Sequence, residues 1–155
     1  MAYRILGNDD DAKDVVQECF IRVWKNICNY NGKAKFKTWM FSIISNLCLD
    51  KLKADKRRNK IFKNDLDKYK HKKVDNNCDI EIKLENKEMT DKIKNIAGML
   101  KPKQRVVFVL RDLQNLNVNE VAQITGTSLS AVKTNLVYAR RKIRKELEKL
   151  ENNGG

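Results

Sequence analysis

Residues 125–147 read TGTSLSAVKTNLVYARRKIRKEL. Gly126 turns the chain, and the helix after it carries Ser128, Ser130, Lys133, Thr134 and Asn135 in its first turns and a dense Arg/Lys run toward its end. Val132, Leu136, Ile143, Leu147 and Leu150 fall at steps that place them on one buried side. Just upstream, Val118, Val121, Ala122 and Ile124 fit a short helix. Two short helices joined by a tight glycine turn make a helix-turn-helix, whose second helix lies in the major groove while the first crosses the backbone. This packing leaves Ser128, Ser130, Ala131, Lys133, Thr134, Asn135 and Tyr138 on the outer face. Lys and Asn can pair with base edges, and Ser and Thr with bases or phosphates. Arg140, Arg141, Lys142, Arg144 and Lys145 are placed for phosphates, contacts that position rather than specify.

Working outward, the sole proline, Pro102, marks the start of a preceding helix whose buried face is Val106, Val107, Val109, Leu110 and Leu113. Ile93, Ile96, Ala97 and Leu100 predict another helix before it, so the C-terminal unit spans 83–152. Residues 61–82 are rich in Lys, Asn and Asp without a sustained apolar stripe, and read as a flexible linker. Residues 1–60 form a second unit. There Ala12, Val15, Val16, Cys19, Phe20, Val23, Trp24 and Ile27 predict an amphipathic helix from Asp11 to about Cys28, with Asp9 to Asp11 as candidate caps. NYNG at 29–32 supplies a turn. A second helix runs from about Lys35 to Lys56, with Phe36, Trp39, Met40, Ile43, Ile44, Leu47 and Leu52 on one side. No segment alternates in the manner of a strand. The fold class is all-α: two small helical domains joined by a flexible linker, the C-terminal one containing the helix-turn-helix.

Charge supports nucleic acid as a partner. Lys plus Arg number 33 against 20 acidic residues, a net charge of +13, and an excess of that size favours a polyanion. It is unevenly spread: 13 basic and 7 acidic side chains in residues 1–60, 9 and 8 in 61–100, 11 and 5 in 101–155. Two basic ends flank a nearly neutral middle. Cys19, Cys28, Cys48 and Cys78 show no paired spacing and His71 is the only histidine, so no metal site is expected; Cys19 and Cys48 fall on apolar faces and read as small buried hydrophobes. No nucleophile–base pair or phosphate-cradling glycine loop is present, so no catalytic residue and no cofactor are expected, and the chain does not read as an enzyme. It lacks a signal-peptide pattern and a run of about 18 apolar residues, so a cytoplasmic protein without membrane insertion is expected.

The N-terminal unit carries two patterns of its own. In DDDAKDVVQECFIRVWKNI, Asp11, Asp14, Gln17 and Glu18 make an acidic-amide face unsuited to phosphate; capping explains the first aspartates well and Gln17 and Glu18 poorly. Beyond it, a loop with Tyr30, Asn31, Gly32, Lys33, Lys35 and Phe36 precedes a helix bearing Asn46, Asp50, Lys53, Arg57 and Arg58. Aromatics beside cations suit a surface that stacks unpaired bases, each stack worth roughly 1–3 kcal/mol. Trp39 and Ile43 share a face and read as core, while Tyr30 and Phe36 fit core or surface equally.

DAKDVVQECFIRVW (11–24), NGKAKFKTWMFSIISNLCLDKLKADKRR (31–58) and LKPKQRVVFVLRDLQNLNVNEVAQITGTSLSAVKTNLVYARRKIRKEL (100–147), in this order and spacing, together resemble a bacterial sigma factor of the sigma-70 family, in its small two-domain extracytoplasmic-function (ECF) group. The resemblance implies a first domain that binds the clamp helices of core RNA polymerase and opens and reads the −10 promoter element, and a second that reads the −35 element. By position, Asp11, Asp14, Gln17, Glu18 and Arg22 would face the clamp. Tyr30, Asn31, Lys33 and Phe36 would capture a flipped base, with Asn46, Asp50, Lys53, Arg57 and Arg58 on the DNA side. Ser128, Ser130, Ala131, Lys133, Thr134, Asn135, Tyr138 and Arg141 would dock the −35 groove. Core polymerase, promoter DNA and an anti-sigma factor are the implied partners.

The family's first domain normally opens with a full helix before the DAKD stretch, and only MAYRILG stands there. A shortened first domain would leave part of the surroundings of Phe20, Trp24 and Ile43 uncovered, so residues 1–60 alone are expected to be weakly folded. The rival reading is a stand-alone helix-turn-helix regulator that binds duplex DNA without polymerase, at half-sites spaced by a helical turn. The aromatic-basic loop and the acidic-amide face tell against it.

Overall fold

The computed structural model describes the backbone of residues 1–66 and 98–152 and the side chains of 1–59 and 98–149. Its elements are α1 (Ala2–Leu6), α2 (Asp9–Asn26) ending in a 3-10 turn (Ile27–Asn29), α3 (Phe36–Leu66), α4 (Pro102–Phe108) continuing into a π-helical turn (Val109–Leu113), α5 (Val118–Thr125) and α6 (Leu129–Asn152). Among the described residues there is no strand, in keeping with the all-α reading.

Local chemistry fixes most boundaries. Asn8, one residue before the aspartates, caps α2 by accepting from the Asp11 amide at 3.0 Å. Asp9, Asp10 and Asp11 instead fill the first turn, where carboxylates complement the positive helix end. Pro102 opens α4. Asn117 and Glu120 form a reciprocal capping box at the start of α5. The exception is α3, which passes the expected stop near Lys56 and runs to Leu66, across the linker boundary drawn at residue 60. No glycine or proline lies between 36 and 66 to end it, and beyond Leu52 it continues as a charged, solvated helix with an Asp55–Arg58 ion pair at 3.4 Å. The rest of the expected linker, and Ile93, Ile96 and Ala97 of the expected helix, lie outside the described residues.

The two units share one core. Ala2 and Ile5 of α1, Ala12, Val15 and Cys19 of α2, and Ile44 and Cys48 of α3 belong to the same buried cluster as Val106, Val107, Val109, Leu110, Leu116, Val121, Ile124, Val132 and Leu136. Helix α3 packs on both α4 and α5, and the Arg4 guanidinium donates to the Leu113 carbonyl at 2.7 Å. The units are docked, not merely tethered. The run Arg105–Leu110 shows why: all six residues are buried, so this segment has no solvated side, as expected of a helix enclosed between neighbours.

Two features of that core are less comfortable. Arg105 is only 7% exposed and its Nε has no hydrogen-bond partner; burial holds its guanidinium below its ordinary pKa. On the outside of α2, Phe20 and Trp24 are 63% and 83% exposed, so the apolar periodicity overstates what α2 buries: only Ala12, Val15 and Cys19 are inside. Ile43, also expected to lack cover, is half-buried.

Candidate nucleic-acid interface

In the C-terminal unit, Gly126 takes φ +61 and ends α5, its amide returning to the Ala122 carbonyl. Only a residue without a Cβ adopts this conformation at no cost. Ser128 then caps α6 by accepting from the Ala131 amide at 3.1 Å. Val132, Leu136 and Ala139 are buried on one side of α6. This fixes the opposite side: Ser128, Ser130, Lys133, Thr134, Tyr138 and Arg141 are exposed, and Ala131 and Asn135 half-buried beside them. The Asn135 side chain donates to the Ala131 carbonyl at 2.8 Å, which leaves its carbonyl oxygen available. Arg140 does not sit with the free cations. It forms a bidentate pair with Asp112 (2.8 and 2.6 Å) that ties α6 to the π-helical turn and raises the Arg140 pKa.

In the N-terminal unit the loop before α3 folds into an aromatic cluster. Tyr30 stacks at 5.1 Å on Trp39 and meets Phe36 edge-on at 5.6 Å, and its hydroxyl donates to the Ala34 carbonyl. Trp39, read from sequence as core, is half-buried and part of this surface. Asn31 accepts from the Lys33 amide at 3.1 Å and shapes the turn. Along α3, Asn46, Asp50, Lys53 and Arg57 follow at four- and three-residue steps on one exposed face, with Arg58 exposed beside it. The opposite face, Ile44, Ser45 and Cys48, is buried.

Between these parts lies a pocket of about 280 Å³ lined by Arg22, Asn26, Asn29, Trp39, Ile43 and Asn46. Three carboxamides and a guanidinium over an apolar floor can hydrogen-bond a planar polar ring while it packs on indole. Asn26 and Asn29 were not among the residues expected from sequence. Their signal was three asparagines, two at the end of α2 and one on α3, around the aromatic loop.

The acidic-amide face is divided. Asp11 is paired with Lys51 of α3 at 2.7 Å, and this hydrogen bond raises the Lys51 pKa. Glu18 accepts from Arg22 Nε at 2.8 Å. Asp14 and Gln17 are exposed. Cys19 and Cys48 are buried, as expected of small core residues, and burial pushes the Cys48 thiol up to about 12. Among the described residues no group of three or more His, Cys, Asp or Glu is gathered to hold a metal ion, and no helix is long and apolar enough to cross a membrane.

Residues 1–58 match the family description Sigma-70 region 2, and residues 90–143 match Sigma-70, region 4. The chain is 30% identical to the ECF RNA polymerase sigma factor SigW of Bacillus subtilis over 155 residues, covering 97% of this chain and 82% of that protein. It is 29% identical to the ECF RNA polymerase sigma factor SigE of Mycolicibacterium smegmatis, covering 96% of this chain and 56% of that one. Among solved structures, the sigma factor RpoE of Bartonella quintana, in complex with the anti-sigma factor NepR, superposes with TM-score 0.67 at 21% identity over 95% of this chain and 87% of its own. CnrH, in complex with the cytosolic domain of CnrY, superposes with TM-score 0.65 at 22% identity over 96% and 79%. Both structures share the fold.

Proposed function

The chain belongs to the ECF group of the sigma-70 family of transcription-initiation factors, and from that premise we propose that it directs core RNA polymerase to promoters, reading the −10 element with residues 1–60 and the −35 element with the helix-turn-helix of residues 83–152. The observation that carries this reading is the presence of two outward faces on one molecule. One is the Asn46–Asp50–Lys53–Arg57 row beside an aromatic pocket, and the other is the exposed face of α6. The first suits an unpaired strand and the second a duplex groove. A stand-alone duplex reader has no use for the former.

In this account Lys133 and Asn135 read base edges of the −35 duplex, while Arg141 and Arg144 hold phosphates. At the −10 element the cost of unstacking a base, a few kcal/mol, is offset by stacking on the Tyr30–Phe36–Trp39 cluster and by phosphate contacts from Lys33, Lys53, Arg57 and Arg58. Asp14 and Gln17 make the main contact with the polymerase clamp helices, since Asp11 and Glu18 are engaged within the chain. The shared core carries both DNA-reading faces on one body, so that binding of one face raises the effective concentration of the other. An anti-sigma protein is a further partner, as the complex of the sigma factor RpoE with the anti-sigma factor NepR illustrates. The chain acts as a DNA-binding initiation subunit without catalytic residues, in the cytoplasm.

Co-purification with bacterial core RNA polymerase tests this reading. The chain is expected to travel with core, and Asp14→Lys/Gln17→Ala to weaken that association while α6 still binds DNA. Tight, sequence-specific binding to duplex DNA together with no association with core would support the stand-alone regulator instead.

A further inference from the structure

One side of α2 keeps an apolar strip open to solvent. Val16, Phe20, Trp24 and Ile27 follow at steps of four, four and three residues and so line up along the helix. They are 37%, 63%, 83% and 42% exposed. Phe20, Trp24 and Ile27 also frame a groove of about 530 Å³ together with Ile21, Val23 and Lys25. Helix α1 leaves the strip uncovered because it is short: its five residues span about 7.5 Å, against about 27 Å for the eighteen of α2. Phe20 and Trp24 expose roughly 300 Å² between them, and with Val16, Ile21 and Ile27 the strip comes to roughly 500 Å². A contiguous apolar patch of that size marks an interaction site.

The charges beside the strip indicate its occupant. Asp14 and Lys25 are both exposed, and among the described residues neither belongs to an ion pair, unlike Asp9, Asp11 and Glu18 on the same helix. Eleven residues separate them, close to three full turns, so both stand on the same flank of the strip. Phe20 lies midway between them. A two-fold axis crossing α2 at the level of Phe20 sets the helix antiparallel to its own copy. It places Asp14 opposite Lys25 of the second copy, and Lys25 opposite the second copy's Asp14, while the two apolar strips close on each other. Such self-complementarity is what an isologous contact requires. Two strips together bury about 1,000 Å², the size at which a specific interface begins.

We propose that this strip is the interface of a two-fold homodimer, in which α2 packs antiparallel on α2 of a second copy, Phe20 and Trp24 supply the apolar contact, and the reciprocal Asp14–Lys25 pairs set the register. The dimer is weak, because its area is at the lower limit and exposed ion pairs add little beyond specificity. Asp14 lies on this interface and Gln17 adjoins Phe20 one helical turn away. The proposed function assigns both to the polymerase clamp helices, so on that reading the dimer and the complex with core polymerase exclude each other.

The test is analytical ultracentrifugation of the full chain across the micromolar range, at low and high salt. A monomer–dimer equilibrium is expected. Salt should tighten it, because each copy carries a net charge of +13 and screening relieves that repulsion. Trp24→Ala is expected to weaken the dimer about tenfold or more. Asp14→Lys and Lys25→Asp are each expected to weaken it severalfold by setting like charges opposite one another, and the double variant Asp14→Lys/Lys25→Asp to restore it. The melting temperature of each variant separates lost association from lost folding. A chain that stays monomeric throughout, a dimer that survives Trp24→Ala, or a double charge swap that fails to recover association overturns the proposal. If the chain is monomeric and Trp24→Ala instead weakens binding to core polymerase, the strip is a polymerase contact and the proposal is overturned with it. Core polymerase added to the dimer is expected to draw off monomer; a dimer that stays intact on core overturns the exclusion. Dimerisation that follows the expected pattern in a chain that never binds core supports the proposal and overturns the proposed function.

Discussion

Gly7 and Arg105 test whether the two units pack together as described. Gly7 ends α1 at φ +75, and a Cβ added there would lie 2.9 Å from Nη2 of Arg105, a side chain buried at the other end of the sequence. Gly7→Ala should therefore carry two costs. The left-handed backbone costs about 1–2 kcal/mol for any residue with a Cβ. The approach to Arg105 adds about 1 kcal/mol, near the low end for overpacking because the atom met is the far end of a long side chain. In an Arg105→Ala background the second cost disappears. A double-mutant cycle by urea denaturation, followed by helical circular dichroism, is then expected to show a coupling of about 1 kcal/mol, with Gly7→Ala less harmful when Arg105 is gone. The single variant should lower the midpoint without changing the slope. Coupling within about 0.5 kcal/mol of zero, the level expected for distant sites, would refute the contact and with it the shared core.

Four further outcomes follow from the same structure. Lys133→Ala is expected to relax sequence preference in the −35 region, costing about 1–3 kcal/mol against the preferred site, whereas Arg144→Ala weakens all sequences alike and flattens the salt dependence; uniform weakening by Lys133→Ala would show the reading face of α6 to be misplaced. Gly126→Ala meets no atom within 4 Å, so its cost is the backbone alone, about 1–2 kcal/mol, and Gly126→Asn should recover much of it; equal melting temperatures for the two variants would contradict that assignment. Stability should fall in alkali: the Cys48 thiol stays protonated in the fold up to about 12 but ionises near 9.0 when unfolded, so its contribution is fully present below pH 9 and lost as pH rises toward 12. At pH 10.5 the loss is about 2 kcal/mol, and Cys48→Ala should remove that part of the slope; identical pH slopes would count against it. Finally, residues 1–60 alone should show no cooperative thermal transition, because Ala2, Ile5, Ile44 and Cys48 belong to a cluster completed by the C-terminal helices.

Much of this was legible in the sequence because it rests on local chemistry. The Gly126 turn, Pro102 at a helix start, the inward positions of Val132 and Leu136, and the burial of Cys19 and Cys48 all follow from spacing and residue type. The docking of the two units did not follow from helical periodicity, because an amphipathic stripe shows that a side is buried and not what buries it. The available signal was the unbroken run VVFVL at 106–110, too apolar for a helix with one wet face. Trp24 misled in the opposite direction: it lies in register with Phe20 and Ile27, yet is the most exposed of α2's large apolar residues. The extent of α3 was missed because a charged sequence without glycine or proline contains nothing that stops a helix once its core contacts have started it. At the site, the aromatic loop and the α3 face were readable, but the pocket was not, since it depends on how the ends of two helices separated by a turn come together.

The central claim, that this chain initiates transcription at promoters it selects itself, is tested most directly by run-off transcription with core polymerase, with and without the chain, on a promoter library. The account predicts new starts that depend on the chain, share sequence in both the −10 and −35 regions, and lose the −35 preference with Lys133→Ala. Core polymerase that gains no new start sites, while the chain alone protects a specific duplex, would contradict it.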